Sequence, residues 1–288
     1  GDSRRRAPRP ASAAGPPANA KDSTQTVAVR TAAIWTFKQA YGASSTKALS
    51  ELAGDAAIRE QILRALTDNK KELNGVPAKV YGDSLKDKDP RVVLQALIGI
   101  ERLKLKGAAP AILAASMDWR DGGVSPRLEH TAMQVLVSLG NVPACLKAVE
   151  DTATRKLALR ALERIETTDT VNGLLATFGK SKDLELRFDV LAALARLSHK
   201  EKEWDLKSWW STRPDDRGPY YEPVEWEATA KVTAAIEKGF GMVPPDRQND
   251  LLDVLGKNRM PVAEMKLAGV DPVLAALGAS GIEVRHGQ

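Results

Sequence analysis

One arginine, returning at nearly even intervals ahead of an apolar helical run, restricts the possible folds of this chain more than any other feature. Arg30, Arg59, Arg91, Arg127, Arg155 and Arg187 lie 29, 32, 36, 28 and 32 residues apart. Each opens a segment with apolar residues three and four positions apart, such as Leu94, Leu97 and Ile98, or Leu191 and Leu194. That spacing is the period of a helix buried along one face, not of a strand. Asp89-Pro90 and Ser125-Pro126 stand in matching register just before Arg91 and Arg127. Asp or Ser suits the position where a side-chain oxygen accepts orphan backbone N–H groups. Proline suits the first helical residue, whose N–H has no partner in any case.

A short break and a second, shorter apolar segment follow the anchored helices, as in GAAPAILAAS (107–116), VPACLKAVED (142–151) and DTVNGLLATF (169–178). The unit is therefore helix–turn–helix with a period near 30 residues, and the predicted fold class is all-α. In this pattern the chain resembles the HEAT-repeat family, most typically in DPRVVLQALIGIERL. The tetratricopeptide and ankyrin patterns have similar periods, but their signature residues are absent. The expected architecture is a HEAT-like α-solenoid of stacked antiparallel helix pairs, six of them from about Asp22 to about Leu197. No such pair buries its apolar face alone, so each contacts its neighbours, and the concave face of the resulting arc is the expected surface for a protein partner. An arginine in the first turn opposes its own helix dipole. The expectation is that it forms a ladder with acidic groups of the next repeat, or lies solvated.

The spans around this array read differently. Residues 1–23 contain four prolines and no large apolar residue, and are expected to be a disordered basic linker. They hold Arg4, Arg5, Arg6, Arg9 and Lys21 against Asp2 and Asp22, which is +3 of the chain's net +5. The remaining +2 is spread over the body, which counts against nucleic acid as a partner. The array is assigned to residues 24–197, an aromatic loop to 198–223, further helices that extend or cap the array to 224–280, and a tail to 281–288. One such helix is expected to restart near Pro223 and stop at Gly239, another to follow Pro244-Pro245, and a third to lie in DPVLAALGAS. No apolar run reaches the ~20 residues a membrane span needs, and no secretory signal opens the chain. The first residue is Gly, so the chain reads as a trimmed or excised piece.

Catalytic motifs are not apparent. His130, His199 and His286 are far apart, and neither HExxH, GxSxG, a P-loop nor GxGxxG occurs. The single cysteine, Cys145, reads as a buried small hydrophobe. The sequence reading is a non-enzyme with no metal and no cofactor.

The exception to this plainness is WWSTRPDDRGPYY. Four of the six tryptophans and two of the four tyrosines fall between Trp204 and Trp226. The candidate binding residues are Trp209, Trp210, Arg213, Asp215, Arg217, Tyr220, Tyr221 and Trp226. Pro214, Pro219 and Pro223 forbid a single helix here. Two readings stay open. The rings form either a plug that closes the apolar end of the stack, or a surface whose tryptophans and arginines receive a ligand or partner.

With Trp209-Trp210, Thr212-Arg213-Pro214-Asp215, Arg217-Gly218-Pro219-Tyr220-Tyr221 and Trp226-Glu227, the segment resembles one found in large exported bacterial proteins of the PVC-type haem-binding, or membrane-bound dehydrogenase-like, family. It departs from them at Asp216, where they carry Thr or a similar small polar residue. The resemblance implies a HEAT-repeat section, an exported or periplasmic location, and neighbouring β-propeller and c-type cytochrome modules. This chain has no CxxCH to attach haem. The resulting expectation is a non-catalytic scaffold or protein-interaction section of a larger exported protein, its partner a protein or the neighbouring domains of the same polypeptide. The alternatives are an accessory domain of a haem-containing redox or sugar-oxidising enzyme and, third, a HEAT-like enzyme acting on nucleic acid.

Overall fold

The structure, a computed structural model, describes residues 16–118, 126–207 and 222–268. Among them, all regular structure is helical apart from two strands of two residues each, so the chain is all-α. It divides between Asn141 and Val142 into two compact units.

In the first unit the long helices are α2 (Val27–Tyr41), α4 (Arg59–Thr67), α6 (Pro90–Arg102) and α8 (Pro126–Leu139). Each packs against the next in that series. The shorter helices α3 (Thr46–Ser50), α5 (Ala78–Ser84) and α7 (Ala109–Asp118) lie between them in sequence, and each packs on the long helix that follows. A four-residue helix, α1 (Ala18–Lys21), falls inside the span expected to be a linker, where it packs on α2 and buries Ala20. In the second unit α9 (Val142–Ala148) pairs with α10 (Thr152–Leu162), and α11 (Thr168–Lys180) with α12 (Leu184–Arg196). α9 also meets α11, and α10 meets α12. Two further helices, α13 (Thr229–Gly239) and α14 (Gln248–Lys257), pack on α12.

Local chemistry accounts for the helix starts. Asp89 accepts a hydrogen bond from the Arg91 N–H, with Pro90 in the first helical position. Thr26, Asp151, Thr167 and Asp183 cap α2, α10, α11 and α12 in the same manner. The core of each unit is aliphatic. Ile62, Leu66, Leu97 and Ile100 are buried in the first, and Leu162, Leu174, Leu191 and Leu194 in the second. Tyr81 is the largest fully buried side chain among the described residues, and its hydroxyl donates to the Leu63 carbonyl at 2.9 Å. Its ring lies on the backbone of Gly99 in α6, where a Cβ would stand 2.0 Å from Tyr81 Cε1.

Three of the six anchor arginines make one repeated clamp. Arg30 Nε donates to the Ala20 carbonyl at the end of α1, and its Nη2 reaches Asp55 at 2.5 Å. Arg59 Nε donates to the Ala53 carbonyl beyond α3, and its Nη1 pairs with Asp87. Arg155 Nε donates to the Val149 carbonyl beyond α9, and its Nη2 reaches Asp183 at 2.9 Å. In each case the guanidinium joins the carbonyl end of the preceding short element to the turn that starts the next long helix. The conflict with its own helix dipole is offset, because the same cation meets the negative end of a neighbouring helix and a carboxylate. Two other anchors differ. Arg91 turns back onto its own cap, Asp89. Arg187 places its guanidinium carbon 5.7 Å from the centre of the Phe178 ring, and its Nε is buried without an acceptor.

Downstream of α12, one expected boundary is corrected. The helix foreseen from Pro223 begins at Thr229. Pro223 and Val224 instead form strand β2, antiparallel to β1 (Lys200–Glu201). Proline is tolerated in such a two-stranded edge because its missing N–H faces away from the partner. The stop at Gly239 is where α13 ends. The helix after Pro244-Pro245 is α14, entered through a single 3₁₀ turn, Pro245–Arg247. DPVLAALGAS lies outside the described residues.

Candidate functional site

Of the candidate binding residues, Trp226 is described, whereas Trp209, Trp210, Arg213, Asp215, Arg217, Tyr220 and Tyr221 lie outside the described residues. What the structure provides is the root from which that segment leaves and to which it returns.

The root is built on the carbonyl end of α12. Leu197 and Ser198 follow its last turn with backbone carbonyls left over, as at every helix end. Trp226 Nε1 donates to the Leu197 carbonyl at 2.9 Å. Thr229 Oγ1 donates to the Ser198 carbonyl at 2.6 Å and accepts from the Trp226 N–H at 2.9 Å. Two orphan acceptors of α12 are thus satisfied by the residues that start α13. The indole face of Trp226 is covered by Lys200, whose Nζ lies 4.0 Å from the ring centre, within the range of a cation–π contact.

The ribbon then closes the insertion. Lys200 pairs with Val224 and Glu201 with Pro223. One step outward, the Lys202 N–H donates to the Glu222 carbonyl at 2.9 Å, and the Glu222 N–H donates to Glu201 Oε1 at 2.7 Å. Lys202 Nζ and the Glu222 carboxylate meet at 2.8 Å. Both side chains are at least half exposed, so the pair positions the ends more than it stabilises them. Past the ribbon, Trp204 and Leu206 are exposed, and Leu206 adopts φ 63°, a left-handed conformation that a bulky side chain rarely takes. Large apolar groups therefore sit in solvent at the point where the segment departs.

Sequence reasoning singled out Trp226 but not Lys200, Thr229 or the two carbonyls beneath them. One signal was present. Trp226 and Thr229 stand three apart ahead of an apolar helical run, the spacing of a helix-start hydrogen bond.

Ser198 Oγ and His199 Nδ1 are 3.0 Å apart. Ser198 is fully buried, which leaves its hydroxyl no route to a substrate. Burial lowers the His199 pKa, favouring its neutral ring, with Glu225 opposing the shift. Among the described residues no group of three or more His, Cys, Asp or Glu side chains is arranged to hold a metal ion. His130 is exposed on α8, and Cys145 is fully buried, where loss of solvent pushes its thiol up to about 11. No described helix is long and apolar enough to cross a membrane. The chain matches no protein-family model and no curated protein.

Proposed function

We propose that this chain is a HEAT-like repeat scaffold, a non-catalytic protein-interaction section of a larger exported protein. The observation that carries the reading is the repeated arginine clamp. Arg30, Arg59 and Arg155 each tie one helix pair to the next through the same two kinds of acceptor, in the register read from sequence. A device repeated at three junctions serves an array built by addition, in which contacts run mainly between neighbours. Function in such arrays resides in features grafted onto the repeat. Here the graft is the aromatic insertion, held on the α12 end by Trp226 and the β1–β2 ribbon. Tryptophan, tyrosine and arginine are the residue types enriched at the energetic centres of protein interfaces, and Trp209, Trp210, Arg213, Asp215, Arg217, Tyr220 and Tyr221 are its candidate contact residues. The partner is a protein or a neighbouring domain of the parent polypeptide, and its setting outside the cytoplasm rests on the resemblance of this segment.

Two measurements test the proposal. A compact globule of 288 residues has a radius of gyration of about 19 Å. Small-angle scattering should give a clearly larger value, and a value near the globular one defeats the array. For the interaction role, the parent polypeptide should show cross-links from the insertion to another of its domains or to a bound protein. Those links should be lost when Trp209 and Trp210 are both replaced by alanine in a chain with unchanged circular dichroism. Cross-links that survive the double replacement remove the insertion from the proposal.

A further inference from the structure

The chain holds an Asn-Gly pair twice, at Asn74-Gly75 and at Asn172-Gly173, and the fold treats the two differently. Both asparagines are exposed. Asn74 and Gly75 are the central residues of a turn between α4 and α5, closed by a hydrogen bond from the Val76 N–H to the Leu73 carbonyl at 3.2 Å. Gly75 has φ 78°, the left-handed value that the third residue of a type II turn requires. Among the described residues, neither its N–H nor the Asn74 side chain has a hydrogen-bond partner. A Cβ placed on Gly75 would meet nothing within 4 Å, so the space around this amide is open. Asn172 and Gly173 instead lie inside α11, where backbone N–H groups are engaged in the helical ladder. Asn172 Oδ1 accepts from Lys231 Nζ, and Gly173 is pressed against Leu146, whose Cδ1 stands 2.1 Å from where a Cβ would be.

We propose that Asn74 is a site of spontaneous deamidation in the native protein, and that its turn, not its exposure, selects it over Asn172. The Gly75 amide gives its proton to solvent base, and its nitrogen attacks Asn74 Cγ. The new N–Cγ bond forms, the Cγ–Nδ2 bond breaks, and the side-chain nitrogen leaves as ammonia. Water then opens the cyclic imide at one of its two carbonyls. Cleavage of the new N–Cγ bond gives aspartate, and cleavage of the original peptide bond gives isoaspartate. Water enters, ammonia leaves, and nothing is oxidised or reduced. The reaction needs an amide nitrogen held by no acceptor and a backbone that can swing it onto Cγ. Glycine permits that swing because no Cβ opposes it. A turn fastened by one hydrogen bond, with both central residues in solvent, opens at little cost. In α11 the same approach must first break a rung of the ladder and draw Asn172 away from Lys231. The product alters the first unit locally. Either form adds a negative charge two residues from Glu72, the partner of Lys38 at 2.9 Å. Isoaspartate also carries the main chain through Cβ and Cγ, which lengthens the turn by one carbon ahead of α5.

The test holds the full chain at pH 8 for weeks, native and in denaturant, and maps both pairs by proteolysis and mass spectrometry, with fragmentation that separates aspartate from isoaspartate. In the native chain Asn74 should convert at least about tenfold faster than Asn172, because the helix must open first. In denaturant the two rates should converge. Asn74→Gln should abolish conversion at this turn with circular dichroism unchanged, since the longer side chain closes a less favourable ring. Equal native rates at the two asparagines overturn the proposal. So does an Asn74 that stays intact in the native chain.

Discussion

Replacing Gly99 by alanine tests a close approach between two helices in the first unit. In an isolated helix the change would help, since Gly is less favourable than Ala by about 1 kcal/mol. Here the added Cβ would lie 2.0, 2.2 and 2.9 Å from three ring atoms of Tyr81, where carbon atoms need about 3.5 Å. The ring must shift by more than an ångström, yet it is fully buried and tied by its hydroxyl to Leu63. Overpacking of this kind costs about 1–3 kcal/mol, and loosening the buried hydroxyl about 1–3 more. After subtracting the helix gain, Gly99→Ala should destabilise by about 3 kcal/mol, read from guanidinium unfolding followed by circular dichroism. In a Tyr81→Val background the same change should be neutral or stabilising, because the obstructing ring is gone; the difference between the two backgrounds is the coupling energy. A neutral or stabilising effect in the native background would refute the reasoning, since it would mean that α5 and α6 do not meet at this distance.

Other consequences can be measured separately. Arg155→Leu removes three polar contacts and strands the Val149 carbonyl, and should cost about 2 kcal/mol in a melting or denaturant experiment. Arg155→Lys should recover little of that loss, because one ammonium cannot hold the carbonyl and the carboxylate together. The hydrogen bond from Arg30 holds the Asp55 carboxyl below its ordinary pKa. Its contribution is therefore complete above the unfolded-state value near 4 and is lost as the pH falls through the lower folded value. Asp55→Asn should flatten the acid arm of the stability–pH curve, and an unchanged arm would remove the Arg30 pair from the account. Cys145 should resist a thiol reagent at pH 8 in the native chain and react fully in denaturant; rapid native reaction would contradict its burial. Trp209→Ala or Trp210→Ala should lower stability by about 3–5 kcal/mol if those rings form a plug. An unchanged melting curve would point to an exposed contact surface.

The long helices were legible because their signals are local. The N-caps and apolar periods of α6, α10, α11 and α12 are written within one or two turns of sequence. The arginine ladder was legible by half. Its cations stood out through repetition, but their partners Asp55, Asp87 and Asp183 lie 25, 28 and 28 residues away among other acids. Only packing identifies them, because the choice depends on which turn arrives beside which helix end. The late start of α13 was misread because Pro223 suits a first helical turn as well as a strand edge, and pairing with Glu201 is a long-range event. α3 and α5 are too short to carry a period. Gly99 shows in sequence only as a poor helix former; its role appears once Tyr81 is beside it.

The two-residue ribbon at the root has a consequence for how this protein can vary. Everything between Lys202 and Glu222 enters and leaves through one antiparallel doorway, whose fastenings to Leu197 and Ser198 lie on the helix side of the opening. The cost of lengthening a closed loop grows only logarithmically. Closure entropy alone therefore sets little limit on the length of that stretch. Replacing the stretch by a short Asn-Gly turn would separate the two readings of its rings: the melting temperature should hold for a contact surface and fall for a plug.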